Sequence, residues 1–160
     1  MLRSPSEALT RDFQDLLALL DQHGVRFIVV GGYAVAAHGH PRYTKDLDIW
    51  VEPTTDNAAR IVAALDEFGF GSLGLTPDDF SEPGVVVQLG REPGRIDLLT
   101  GVSGLVFAEA YPQRVTATFG TSRVPILDRA SLIANKRASG RPQDLADVAK
   151  LEGRNDRDRT

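Results

Sequence analysis

Cysteine is absent from the 160-residue chain. Its absence excludes disulfides, thiolate zinc sites and a cysteine nucleophile, and it is consistent with the cytosol. Long apolar runs are absent too. No stretch approaches the roughly 20 residues that a membrane span needs. The N-terminal Met1-Leu2-Arg3-Ser4-Pro5-Ser6-Glu7 lacks the apolar core of a signal peptide. Neither sign of charge dominates. A net charge of −4 excludes an all-basic surface that coats nucleic acid. A local basic face built from Arg123, Arg129, Lys136, Arg137 and Arg141 stays open. Repeats and low-complexity tracts are lacking. What is present, 42% apolar and 25% charged residues, is ordinary for a globular chain with a sizeable core. The expectation is one soluble, cytoplasmic domain over residues 1–151, with no membrane partner, and a charged, disordered tail over 152–160.

The chain is organised around Phe27 to Val51. Phe27-Ile28-Val29-Val30 reads as a buried strand. It stops at Gly31-Gly32, and the small residues Ala34-Val35-Ala36-Ala37 read as a short, closely packed helix. A loop through His40-Pro41-Arg42-Tyr43-Thr44-Lys45 leads to a second strand, Asp46-Leu47-Asp48-Ile49-Trp50-Val51. Alternate residues of a strand share a face. Asp46 and Asp48 therefore project together, while Leu47 and Ile49 face the core. Two adjacent carboxylates repel. A divalent cation removes the conflict, and oxygen ligands suit magnesium. Glycine at 31 and 32 lets backbone N–H groups approach an anion closely, and the N-terminus of the following helix favours negative charge. A phosphate cradle beside a metal-binding carboxylate pair is the equipment of phosphoryl or nucleotidyl transfer.

The rest of the chain supplies elements to pack around this centre. A first helix over Glu7 to Gln22, capped by Ser6, carries Leu9, Phe13, Leu16, Leu17 and Leu20 on one face and stops at Gly24. A helix after Thr54-Thr55 buries Ala58, Ile61, Val62, Leu65 and Phe68. Ser72 to Gly84 reads as a loop beside the substrate cleft, with one helical turn at Pro77-Asp78-Asp79-Phe80. Val85 to Gly90 and Arg95 to Thr100 are strands joined by the turn Arg91-Glu92-Pro93-Gly94. Asp97 stands inside the second of these apolar runs, where a carboxylate is costly unless paired or bound to a cation. Val115 to Phe119 and Ser122 to Ile126 form a hairpin about Gly120-Thr121. Asp128 caps a helix over Arg129 to Ser139 that Gly140 ends, and Pro142 opens a last helix through about Leu151.

Gly-Gly, a helix, and Asp-x-Asp at the start of a strand resemble the nucleotidyltransferase superfamily of DNA polymerase β. The fuller string, Gly31-Gly32-Tyr33-Ala34 with His38-Gly39, Arg42, Thr44, Asp46 and Asp48, looks like its small stand-alone bacterial members, among them relatives of the toxins of type IV toxin–antitoxin systems. Leu132 to Asp147, with Lys136, Gly140-Arg141, Asp144 and Asp147, resembles the C-terminal end of that family, where a Lys, a Gly-Arg and an Asp stand on two adjoining helices. The resemblance implies an α+β (α/β) nucleotidyltransferase fold: a mixed sheet of about five strands packed with helices, and a C-terminal helix pair. It implies transfer of a nucleoside monophosphate from an NTP to an acceptor hydroxyl on RNA such as tRNA, on a protein or on a small molecule, with release of pyrophosphate. Two magnesium ions, roughly 3.5–4 Å apart, would stabilise the attacking and leaving oxygens. Asp46, Asp48 and Asp97 would hold them, with Asp97 as the third carboxylate and the base or orienter for the attacking hydroxyl. Gly31 and Gly32 would cradle the β- and γ-phosphates. Arg42, Thr44 and Lys136 would complete the nucleotide site. A toxin role would add a cognate antitoxin as partner.

Plainer readings stand beside each assignment. Asp46 and Asp48 also fit a turn cap and a surface carboxylate. Asp97 also fits a buried ion pair with Arg95 or Arg42, and Gly31-Gly32 a simple strand-to-helix turn. Lys136 has Asp144 as an alternative partner, and Arg141 with Asp144 and Asp147 would tie two helices together. His38 and His40 read as loop histidines, and Tyr33 and Trp50 as core. The whole site also fits a catalytically silent nucleotide-binding or protein-interaction module, or a hydrolase with water as acceptor.

Overall fold

The first helix, α1 (Glu7–Gln22), buries Phe13, Leu16, Leu17 and Leu20 along one face, as three-and-four spacing requires. Gly24, at φ +71°, turns the chain out of it. β1 (Phe27–Val30) is buried at every position, so both of its faces are covered. α2 (Gly31–Ala37) follows without a linker, and β2 (Asp46–Val51) returns antiparallel to β1, with Val30 opposite Asp48 and Phe27 opposite Val51. The computed structural model from which these elements come describes residues 7–41, 43–91, 94–119 and 121–158. Of the residues named above, residues 1–6, Arg42, Glu92, Pro93 and Gly120 lie outside that set, as do Arg159 and Thr160.

α3 (Thr55–Leu65) starts where the Thr54 hydroxyl accepts from the Asn57 amide. Its buried side chains include Ala58, Ile61 and Leu65. β3 (Val86–Leu89) and β4 (Arg95–Leu99) form an antiparallel hairpin, and β4 lies parallel to β2. The short α4 (Phe107–Ala110) sets Phe107 edge-on against Trp50 at 5.2 Å. β5 (Val115–Phe119) and β6 (Ser122–Ile126) form a second hairpin, and β6 joins β1 in parallel at Val29 and Ile126. α5 (Arg129–Ser139) and α6 (Pro142–Asp158) pack together as the C-terminal helix pair. Asp128 caps α5 by accepting from Ser131, and Gly140 ends it at φ +68°.

The sheet order is β3-β4-β2-β1-β6-β5, six strands where about five were expected. The second hairpin, expected from the sequence, forms one end of this sheet. Without it the apolar β1 would present an unpaired edge. The architecture is otherwise the mixed α/β arrangement that the resemblance implied. One boundary and one loop placement differ from expectation. α6 continues to Asp158 rather than ending near Leu151, so the stretch expected as a disordered tail begins as helix. After Leu151 the sequence holds no proline to break the helix. The loop 72–84 does contain the expected turn, over Pro77–Phe80. It does not border the cleft, because Phe80 is fully buried in the core and the turn packs against α3. A large aromatic in a polar loop gains more from burial than the loop gains from solvent. Among the described residues, no helix is long and apolar enough to cross a membrane.

Candidate active site

β2 and β4 decide the site's geometry. Their parallel register sets Asp48 opposite Asp97 and Asp46 opposite Arg95. Pleating then places Asp46, Asp48, Arg95 and Asp97 on one face of the sheet. Leu47 and Ile49 are fully buried on the other face, as their alternation with the acids demands. Farther along β2 the acidic face becomes apolar at Trp50, which is buried against Phe107. Asp46, Asp48 and Asp97 can each offer one carboxylate oxygen, and the three oxygens lie within 4.8 Å of one another. Side chains from two separate sequence segments thus converge on one point.

Such a cluster is electrostatically strained. Burial pushes the Asp48 carboxyl up from 3.8 to about 7, and the charges of Asp46 and Asp97 push the same way, against a smaller opposing effect of Lys136. Asp97 is also raised by burial, against the Arg95 hydrogen bonds and charge that favour its ionised form. Arg95 answers part of the excess. Its Nε donates to Asp97 Oδ1 at 2.9 Å, and its Nη2 donates to Asp97 Oδ2 at 3.1 Å and Asp46 Oδ2 at 3.0 Å. The ion pair weighed at the sequence level between Asp97 and Arg95 is therefore present, and it coexists with the three-carboxylate cluster. Three hard oxygen donors with a surplus of negative charge fit a divalent cation of the magnesium type. These three residues could hold it.

Gly31 adjoins Asp48 for a specific reason. It adopts φ +69°, and a Cβ built on it would sit 2.2 Å from Asp48 Oδ2. The Asp48 carboxylate therefore occupies the space that any side chain at 31 would need. Glycine here serves the position of Asp48, whatever else its amide does.

Two adjoining clefts open on this point, of about 470 and 500 Å³, in the range of small-molecule sites. The first is lined by Gly31, Gly32, Thr44, Lys45 and Lys136, with Tyr43 at its mouth. The second is lined by Asp97, Arg95, Gln88, Asn135 and Ser139. Gly31, Asp46, Asp48, Lys136, Arg141 and Asp144 border both. Of the expected nucleotide residues, Gly31, Gly32, Thr44 and Lys136 thus face one cleft, and Arg42 lies outside the described residues.

Lys136 reaches the cleft wall with its charge already engaged. It is 5% exposed and pairs with Asp144 at 3.3 Å and Asp147 at 3.1 Å. Arg141 grips Asp144 from the other side, Nε to Oδ2 at 2.7 Å. Burial pushes Asp144 up, but hydrogen bonds from Arg141 and Ser139 and the charges of Lys136 and Arg141 outweigh it and hold the carboxyl at about 2. The lysine's alternative partner, Asp144, is engaged, and with Asp147 it ties α5 to α6. His38 Nε2 donates to Leu127 O at 2.8 Å. Tyr33 packs edge-on against Phe13 at 5.6 Å.

Sequence reading misses Gln88 and Asn57 and sees only part of the role of Arg95. Arg95 was weighed only as a partner for Asp97, although its position two residues before Asp97 on a strand places both on one face. Gln88 sits across from Asp97 on β3, which only the hairpin register reveals. Asn57 is buried at 1% exposure and accepts from Arg26 N at 2.8 Å while donating to Arg26 O and Glu52 O at 3.1 and 3.0 Å. It locks α3 onto the ends of β1 and β2, and no local pattern signalled it.

The sequence profile of the family described as "Nucleotidyl transferase of unknown function (DUF2204)" matches residues 9–159. The fold is similar to the crystal structure of an antigenic nucleotidyltransferase-like protein from Paracoccidioides brasiliensis, with a TM-score of 0.54 at 15% identity, covering 91% of this chain and 76% of that one. At that identity the likeness shows the fold alone. No functionally curated protein matches the sequence.

Proposed function

The chain belongs to this nucleotidyl transferase family, and on that premise we propose that it transfers a nucleoside monophosphate from an NTP to an acceptor hydroxyl. The observation that carries the reading is the convergence of Asp46, Asp48 and Asp97 within 4.8 Å at the meeting of two clefts. Those three residues would hold magnesium. Bound there, the metal would polarise the reacting phosphate and lower the pKa of the attacking hydroxyl. The acceptor oxygen bonds to the α-phosphorus, the α–β phosphoanhydride bond breaks, and pyrophosphate leaves. Asp97 faces the second cleft, so the acceptor enters from that side and Asp97 takes the hydroxyl proton. The triphosphate then lies in the first cleft, against the Gly31-Gly32 backbone and the Thr44 and Lys45 side chains. Lys136 contributes to the wall of that cleft chiefly by fixing α5 against α6.

One observation favours a second reading, the silent binding module: Arg95 already neutralises part of the acidic cluster. A single assay separates the readings. The protein is incubated with magnesium, labelled NTPs, and RNA, protein and small-molecule acceptor pools. Pyrophosphate with a labelled acceptor supports transfer. Nucleotide hydrolysis without an acceptor supports a hydrolase, and binding without turnover supports the module. Asp48→Ala should abolish turnover and leave the fold intact, and an active Asp48→Ala protein would refute the metal assignment.

A further inference from the structure

Asp46, Asp48, Arg95 and Asp97 form a two-by-two block on neighbouring strands, three acids and one base. The base is placed by the backbone. Arg95 lies opposite Asp46 on β2 and two residues before Asp97 on its own strand. Its guanidinium takes both oxygens of Asp97, at 2.9 and 3.1 Å, and one oxygen of Asp46, at 3.0 Å. The fork on Asp97 is the strong, bidentate kind. It engages two of the three carboxylates that would ligate a divalent ion. A metal bound to those oxygens would face the guanidinium at contact range, where like charges repel strongly. Asp46 keeps one oxygen clear of the guanidinium, but Asp97 has both of its oxygens in the fork, so a metal that ligates Asp97 competes with Arg95 for them.

We propose that Arg95 is an internal counter-ion, which occupies the cation position of the free protein and is displaced when a divalent metal binds. The inference rests on the reading of Asp46, Asp48 and Asp97 as metal ligands. The strand geometry keeps Arg95 beside the site after displacement, and the 500 Å³ cleft that it lines gives the side chain room to move. Arg95 then has two effects. It relieves the repulsion between carboxylates in the metal-free fold, and it lowers the affinity for metal by competing for the same oxygens. A merely structural role, with Arg95 holding Asp97 in place for the metal, makes the opposite demand on affinity.

Manganese alone, without nucleotide, is the probe, titrated into the full chain while free ion is followed by electron paramagnetic resonance. Arg95→Gln removes the competing charge and should bind manganese tighter than the unsubstituted protein, on the order of tenfold. Arg95→Lys keeps the charge and should stay near the unsubstituted affinity. Equal or weaker binding by Arg95→Gln overturns the counter-ion role while leaving the metal site standing. Absence of manganese binding by all three proteins overturns the metal site and the counter-ion together. A measurement on the unsubstituted protein decides the matter even where a variant fails to fold. The Arg95 Nε–H resonance should shift as magnesium saturates the site, and a resonance unmoved at saturation refutes displacement.

Discussion

Replacing Gly31 with alanine places a methyl group where Asp48 already is. The added Cβ would lie 2.2 Å from Asp48 Oδ2, 3.0 Å from its Cγ and 3.2 Å from its Cβ. The carboxylate must rotate away or the backbone must shift. Two costs follow. Alanine held at φ +69° costs about 1–2 kcal/mol in the left-handed region. Driving Asp48 off its rotamer adds about 0.5–1.5 kcal/mol. Gly140→Ala is the control. Gly140 has nearly the same φ, +68°, but its nearest neighbour is Arg137 O at 3.6 Å, an ordinary contact. The backbone cost is then common to both variants, and the difference isolates the contact with Asp48. Urea denaturation should show both destabilised, with Gly31→Ala lower by the rotamer term. Manganese titration should separate them more sharply. Gly140→Ala should keep its affinity, whereas Gly31→Ala should lose about 10–100-fold, the scale seen when a ligand's orientation is disturbed. Equal stabilities and equal manganese affinities for the two variants would refute the claim that Gly31 is glycine to make room for Asp48.

The remaining expectations concern charge and buried polarity. Asp48 titrates at about 7 in the folded chain against 3.8 ordinarily, so the fold binds an extra proton between those values. Metal-free protein should therefore gain stability as pH falls from about 7 toward 3.8, and Asp48→Asn should flatten that slope in chelator-containing urea titrations. Asp144 has the opposite sign: its contribution should be lost as pH falls from 3.8 toward about 2. Asp147→Ala leaves the buried Lys136 short of one of its two carboxylates and should cost about 3 kcal/mol in denaturation. Asn57→Ala strands the Arg26 amide and carbonyl under α3 and should cost about 1–3 kcal/mol, with manganese affinity unchanged because the site lies at the other end of β1.

Local physics made a good part of this protein legible from its residues alone. A strand's period of two obliges Asp46 and Asp48 to share a face. Asp128, Gly140 and Pro142 mark helix ends by capping, positive φ and a missing amide, each a property of one or two residues. The apolar run at β1 demands burial on both faces whatever surrounds it. Tertiary structure alone decided the rest. Nothing local to Asp97 says that β4 pairs in parallel with β2, nor that the register falls with Asp97 opposite Asp48 instead of one residue away, which would turn Asp97 to the other face. Strand order comes from covering the edges and faces of the whole sheet, a non-local free energy. The same global packing brought Arg95 against the acids, engaged Lys136 with Asp144 and Asp147, and drew Phe80 under α3 and away from the cleft. Charge type and spacing can be read along a chain, but which charges meet depends on how the core closes.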